Sequence, residues 1–494
     1  MARILLRSGK DPFQVLPPEL ALETFPSGVW GRNVGNLVFG DAMHRLLSVP
    51  GSEVVTNSFL SERKGVTKEY VGRVNEEFDH FVIPLANAFR TSFMGNLGRL
   101  TKVIEGLTIP VTVAGVGVAG GPNSITDPFP RLTEEETANV TRFIRAVLDH
   151  SPAIGVRGEF TRAYLASLGF GDEHVDVVGC PSLFRDGTDL AVEKRAESIT
   201  PESQFTMNLS PYVKMMAEVS VRHAEKYPNM IYIPQGHDTL ELMMWGKEPE
   251  RISDPRMPDN LDHPLYQSNR IRFFVDTRTW IDFLKGQDFS FGTRIHGNIA
   301  ALSARTPAVV LAHDARTLEL AEYHEIPHRL VPELTPEVDA AELYDWADFT
   351  AFNTGHAARF EKFAAFLKKC GLEQIHEDGK ANTDYDARLA ALPLPPPVQT
   401  LMSNEPEARR AAIERVALLR KVAGPRAWTE AFPPEFAVPV RRSSPAPADT
   451  SATKPAAKPP VKRTPPPTRG PLERRARAVG RLAKRAVARL SGKL

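Results

Sequence analysis

Two runs of short apolar segments, each alternating with longer stretches whose apolar residues recur every three or four positions, constrain this chain more than any other feature. That alternation is the pattern of a parallel sheet. Parallel neighbours need a long crossover, and the crossover helices cover both sheet faces. In the first run, strands are expected at Ala2–Arg7, Glu53–Asn57, Phe81–Leu85, Pro110–Ala114, Ala153–Val156 and Val175–Val178. A helix is expected to start near Gly40 or Asp41, carrying Met43, Leu46 and Leu47. Thr133 and Glu136 have the spacing of a capping box ahead of a helix with Val140, Phe143, Ile144, Val147 and Leu148 on one face. Glu159–Leu168 reads as the next helix, stopped by Gly169.

The second run places strands at Phe205–Leu209, Met230–Pro234, Ile271–Val275, Phe289–Phe291 and Ala308–Leu311. Its clearest helices are Tyr212–Lys226, Thr279–Lys285 and Gly297–Ala304, and residues 354–374 form a further one with Phe360, Phe363, Phe366 and Leu367 on one face. The expected architecture is therefore α/β: two doubly wound Rossmann-like domains, 1–190 and 200–375, facing a cleft. Residues 376–440 read as a linker, proline-rich at Leu392–Val398, followed by a helical extension.

Charge separates the rest. Residues 441–494 carry 15 Lys and Arg against 2 Asp and Glu, whereas 1–440 carry 46 against 58. The near-neutral whole is thus an acidic body with a basic arm, which points to an anionic partner for the arm. Residues 441–470, rich in Pro, Ala, Ser, Thr and Lys, read as a disordered linker, and 471–494 as a basic amphipathic helix. Such a helix suits an anionic membrane surface, which is preferred here over docking on the acidic body; nucleic acid is the least favoured partner. Two cysteines, Cys180 and Cys370, exclude a disulfide framework. The apolar run Ile4–Leu6 is too short for a signal-peptide core of roughly 7–15 residues. No stretch approaches the ~18 apolar residues of a membrane span. A cytoplasmic protein is expected, with any contact to the inner face of the cell membrane peripheral.

Several strand exits carry residues suited to anionic chemistry. In Gly292-Thr293-Arg294-Ile295-His296-Gly297 a strand runs into a helix, so Arg294 and His296 fall in the turn at a helix N-terminus. The guanidinium fork fits phosphate or carboxylate, and the imidazole can give up a proton near neutral pH. Arg157, in Val156-Arg157-Gly158-Glu159, ends another strand and points at the crevice where open α/β sheets bind ligands. Gly179-Cys180-Pro181-Ser182 is a third such exit, with Cys180 read as a buried, inert thiol. The loop from Gly31 to Asp41, with Asn33 and Asn36, offers close backbone approach to a ligand. Gly115–Gly120 matches G-x-G-x-x-G, but Pro122, Asn123, Pro128 and Pro130 follow where a dinucleotide site needs a helix at once. No P-loop or H-E-x-x-H occurs, and neither a metal nor a cofactor is expected.

In their order and spacing these pieces resemble the polysaccharide pyruvyl transferase family. The matching parts are Asn33–Asp41, the Phe81–Phe89 segment with Asn87, the glycine loop Gly115–Gly121, Val156–Glu159, Gly179–Ser182, Gly292–Gly297 and Pro307–Arg316. The resemblance implies a fold similar to the GT-B glycosyltransferases. It also implies transfer of the enolpyruvyl unit of phosphoenolpyruvate to a sugar or lipid-linked glycan as a ketal. It marks Arg157, Arg294 and His296 as catalytic, and Asn36, Asp41, Asn87, Gly117 and Ser182 as substrate-binding. Arg294 on phosphate and Arg157 on carboxylate is one assignment; the reverse is equally open. The Leu37–Phe39 insertion between Asn36 and Gly40-Asp41 departs from the family's tighter loop. Two other readings are a GT-B nucleotide-sugar transferase, with Glu319 or Glu322 on the ribose, and a non-catalytic glycan- or membrane-binding scaffold.

Overall fold

The computed structural model describes residues 2–23, 29–119, 132–250, 252 and 254–419. The arm at 441–494, its 441–470 linker and its 471–494 helix therefore lie outside the described residues, as do Gly120 and Gly121. The first half contains strands β1 (Ala2–Leu6), β2 (Ser52–Thr56), β3 (His80–Pro84), β4 (Asn87–Phe89), β5 (Val111–Ala114), β6 (Gly117–Val118), β7 (Ile154–Val156) and β8 (Val175–Val177). The second contains β9 (Phe205–Asn208), β10 (Ile231–Tyr232), β11 (Phe289–Gly292), β12 (Ala308–Ala312) and β13 (His328–Leu330). One sheet runs β2-β1-β3-β5 and the other β10-β9-β11-β12-β13, with every pair parallel. The short pairs β4–β6 and β7–β8 extend the first sheet, joined to it through the Val116–Val156 bridge. The two doubly wound domains present the carboxyl ends of their strands to one cleft, which is the GT-B-like arrangement expected.

The burial patterns explain the alternation. β3, β5, β9, β11 and β12 are buried at every position, as strands covered on both faces must be. The Thr133–Glu136 capping box is present in full. Ile271–Val275, expected as a strand, makes only isolated bridges from Ile271 to Tyr232 and from Phe273 to Val398. Its four apolar side chains, Ile271, Phe273, Phe274 and Val275, are buried in the second core, so burial rather than a ladder holds it. β13 escaped notice because it is three half-buried residues, two of them His328 and Arg329, at a sheet edge.

The chain crosses between domains more than the expected boundaries allow. Leu16–Leu22 and Val29–Phe39, assigned to the first domain, contribute Leu16, Leu20, Trp30, Leu37 and Phe39 to the core of the second with Phe205, Phe273 and Trp280. The helix Thr350–Lys369, assigned to the second, lays Phe360, Phe363, Phe366 and Leu367 against Ile4, Leu6, Val82 and Val178 of the first sheet. The physical reason is that the first sheet needs a cover on this face, and each buried Phe contributes roughly 1.5–3 kcal/mol by leaving water. The extension then straps both domains. Arg45 pairs with Asp386 at 2.7 Å, and Phe273 and Val398 exchange backbone hydrogen bonds.

Candidate active site

The turn after β11 is built around Gly292, whose φ of +147° only glycine adopts without strain. Its backbone lies so close to β9 that a Cβ would stand 1.7 Å from the Asn208 carbonyl oxygen. Two buried amides then fix the turn. Asn208 Oδ1 accepts from Arg294 N–H at 2.9 Å, Asn208 Nδ2 donates to Asn298 Oδ1 at 2.9 Å, and Asn298 Nδ2 donates to the Gly292 carbonyl at 2.9 Å. Thr293 Oγ1 accepts from Ser210 N–H at 2.7 Å. The helix begins at Ile295, so Arg294 is its N-cap and His296 lies in its first turn, slightly earlier than the sequence suggested.

From the other domain comes Arg157, at the end of β7 and 1% exposed. Its Nε and Nη2 donate to the Gly115 carbonyl at 3.3 and 3.2 Å. Gly117 is the floor beneath it; a Cβ there would meet Arg157 Cδ and Nε at 2.4 Å. Gly117 pairs with Asn87, whose Oδ1 is buried without a partner and whose carbonyl accepts from Arg90 Nη1. Arg157, Gly117 and Asn87 therefore form one surface.

These surfaces meet at His296. It is 7% exposed, and its Nε2 has no hydrogen-bond partner. Burial first, then the charges of Arg157, Arg316 and Arg294, push its pKa down to about 3. On its far side it touches the N-terminus of the helix Gly35–Leu47: a Cβ on Gly35 would lie 2.8 Å from His296 Cβ, and the Phe39 ring centroid is 5.6 Å from the imidazole. Burial and the fields of Arg316 and Arg157 also press Arg90 down to about 10. Arg157, Arg294 and Arg316 thus bear on His296, and Arg90 on Arg157 and Arg316, countered by Asp314, which pairs with Arg316 at 3.0 Å, and by Glu319. A site with this excess of positive charge is made for a compact, multiply charged anion. Arg316 and Arg90 are site residues that the site reading of the sequence missed.

Three expected substrate-binding residues take other places. The helix starts at Gly35, not near Gly40: Val34 is its N-cap, and Asn33 Oδ1, one residue further out, accepts from Gly35 N–H at 2.9 Å. Asn36 consequently spends its amide on the Trp30 carbonyl at 2.8 Å, tying the turn rather than facing the pocket. Asp41 falls mid-helix in a separate crevice with Arg45, Arg185 and Tyr385. Burial raises its pKa to about 6, against the opposing influence of Lys10 and Thr277. Ser182 is 1% exposed, and its Oγ accepts from the Cys180 thiol at 3.2 Å. Cys180 is buried, and burial pushes its thiol pKa up. Among the described residues no cluster of three His, Cys, Asp or Glu is disposed to hold a metal ion.

Glu319 bridges the domains. Its Oε2 accepts from Thr161 N–H at 3.0 Å and its Oε1 from Thr161 Oγ1 at 2.9 Å. Burial raises its pKa from 4.5 to about 7, opposed by Arg157 and Thr161. Between those values the folded chain keeps a proton that the unfolded chain has released, so stability falls as pH rises through the window. The full loss is on the order of 3 kcal/mol. Melting temperatures from pH 4.5 to 8 should show wild type losing ground to Glu319→Gln as pH rises; parallel curves would contradict this.

A family model described as polysaccharide pyruvyl transferase matches residues 33–315. The match contains Asn87, Gly117, Arg157, Arg294 and His296 and stops one residue short of Arg316. No curated protein matches the chain. Among solved structures, the UDP-GlcNAc 2-epimerase of Methanocaldococcus jannaschii in complex with UDP-GlcNAc and UDP is similar at 14% identity, over 74% of this chain and 99% of that one, with a TM-score of 0.40. The UDP-GlcNAc 2-epimerase of Neisseria meningitidis bound to UDP-GlcNAc is similar at 10% identity, over 79% of this chain and 100% of that one, with a TM-score of 0.35. Among the described residues no helix is long and apolar enough to cross a membrane.

Proposed function

Because the chain belongs to the polysaccharide pyruvyl transferase family, we propose that it moves the enolpyruvyl unit of phosphoenolpyruvate onto two hydroxyls of a sugar as a ketal, releasing phosphate. The observation that carries this reading is the convergence of Arg157, Arg294 and Arg316 on a buried His296 whose Nε2 is unpartnered. Phosphoenolpyruvate sets a phosphate and a carboxylate on one three-carbon frame, and arginines from opposite walls can clamp the two groups. Both Arg157 and Arg294 are depressed by burial, so an anion that enters relieves an existing electrostatic cost.

The residues suggest a sequence of steps. His296, protonated once the anion is bound, gives its proton to the methylene carbon, which becomes the methyl group. The neighbouring carbon gains oxocarbenium character, a sugar hydroxyl attacks it, and the C–O bond to phosphate breaks. The second hydroxyl closes the ketal, and its proton returns to His296. Guanidiniums held by main-chain carbonyls, as Arg157 is by Gly115 and Arg294 by Leu209, need little reorganisation to stabilise the departing phosphate.

A nucleotide-sugar transferase would place Glu319 on a ribose, but that carboxyl is 3% exposed and bonded to Thr161. Incubation with phosphoenolpyruvate and methyl hexopyranosides should release phosphate only when the sugar is present. Mass spectrometry should find the sugar heavier by one pyruvate minus one water. Phosphate release without sugar, or turnover of a nucleotide sugar instead, would overturn the reading.

A further inference from the structure

The rim of the cleft holds a polar cluster that the steps above leave unused. Tyr212 follows the carboxyl end of β9, and His313, Asp314 and Arg316 follow that of β12. Tyr212 Oη lies 3.4 Å from His313 Nε2 and 3.4 Å from Arg316 Nη2. Asp314 Oδ2 stands 3.5 Å from His313 Nε2. The two rings pack with centroids 5.5 Å apart. The His313 side chain is 7% exposed, whereas Tyr212 is 59% exposed.

The hydrogen-bond chemistry gives this cluster a direction. A guanidinium can only donate, so Tyr212 Oη is an acceptor toward Arg316. Its own proton is then free to point at His313 Nε2, and a neutral imidazole accepts there. Burial lowers the His313 pKa, only partly offset by Asp314, which leaves the ring neutral near pH 7. Burial alone would raise the phenol pKa, but Arg316, Arg294 and a hydrogen bond from Ser210 together lower it, which favours transient negative charge on Oη. Exposure settles what meets the phenol. A three-carbon anion suits the buried arginines, whereas a glycan must approach from solvent, the side on which Tyr212 is exposed.

We propose that Tyr212 is a further catalytic residue, which takes the proton of the attacking sugar hydroxyl and relays it to His313. The proposal rests on the pyruvyl-transfer reading. As the sugar oxygen bonds to the ketal carbon, its O–H bond breaks and the proton passes to Tyr212 Oη. The phenol proton moves at the same time to His313 Nε2, beside Asp314. The imidazolium then protonates the departing phosphate. The first hydroxyl's proton thus leaves on phosphate, while the second hydroxyl's proton restores His296, so no co-reactant is needed.

The test is full-length Tyr212→Phe, which keeps the ring and removes the relay. With phosphoenolpyruvate and methyl hexopyranosides, kcat should fall by about 10²-fold. KM for both substrates and the thermal shift on adding phosphoenolpyruvate should stay close to wild type. His313→Gln should lower kcat in the same way. A Tyr212→Phe chain with wild-type kcat overturns the role, as does one whose only change is a raised sugar KM, the mark of a stacking platform. If wild type itself forms no ketal, the functional reading fails first and takes this role with it.

Discussion

Replacing His296 with alanine is expected to cut turnover by about two to four orders of magnitude and to abolish a proton uptake that accompanies substrate binding. In the free protein this imidazole is held neutral, with its pKa near 3, by burial and three arginines. An acid with that pKa has no proton to give at neutral pH. The substrate must therefore supply the charge that loads it. Holding the ring protonated at pH 8 means moving the pKa from about 3 past 8, which takes roughly 7 kcal/mol or more at ~1.4 kcal/mol per unit. One negative charge at ~4 Å supplies about 4 kcal/mol at an effective dielectric constant near 20. A single charge falls short, whereas a trianion is ample. Titration calorimetry at pH 8 in buffers of different ionisation enthalpy should show wild type taking up about one proton as phosphoenolpyruvate binds. His296→Ala should take up close to none. Equal uptake by the two chains, or undiminished turnover in the variant, would remove His296 from the chemistry.

Gly292→Ala should be strongly destabilising. The new methyl would sit 1.7 Å from the Asn208 carbonyl oxygen and 2.8 Å from its Oδ1, at a φ of +147°. Neither obstacle can swing aside. Asn208 is the parallel partner of Gly292, and the same residue accepts from Thr293 and Arg294. Relief means parting β9 from β11 where Arg294 and His296 are aimed. A loss of more than ~3 kcal/mol is expected, beyond ordinary overpacking. Urea unfolding measures it. Gly286→Ala is the control: its Cβ would meet only the Phe283 carbonyl at an ordinary 3.7 Å, and it should change stability by less than ~0.5 kcal/mol. Comparable midpoints for the two variants would contradict the packing argument.

What the sequence made legible was the chemistry at strand exits. Arg157 and Arg294 each follow a fully buried strand, so their position could be read from periodicity and a neighbouring glycine. Asn36 and Asp41 were misplaced by a shift in one helix start. Asn33, three residues before Asn36, uses its side chain to accept the Gly35 N–H at the helix start, and no periodicity reveals that. Ser182 reads as available in sequence because nothing there shows that the Cys180 thiol two residues away donates to its hydroxyl. Arg90 and Tyr212 belong to no local motif, and Arg316 closes the Pro307–Arg316 piece without being marked there as a site residue. They follow different strands, and only parallel stacking of β9 and β12 on either side of β11, facing the first domain, gathers them. The Asn208–Asn298 pair is similar: two amides 90 residues apart whose shared task appears only once β9 and β11 are adjacent.

The exchange of segments between the domains has a consequence for how the protein is made. A ribosome that has delivered the first domain's eight strands has not yet translated Phe360, Phe363 or Phe366, which seal one face of their sheet. Meanwhile Leu16, Leu20, Trp30, Leu37 and Phe39, already emerged, wait for a core whose strands begin only at Phe205. Neither half can therefore reach its finished packing during synthesis, and closure depends on contacts across more than 300 residues of chain, the slow kind. Maturation of the cleft is a late, whole-molecule event, so the arginine pocket does not exist in a nascent fragment.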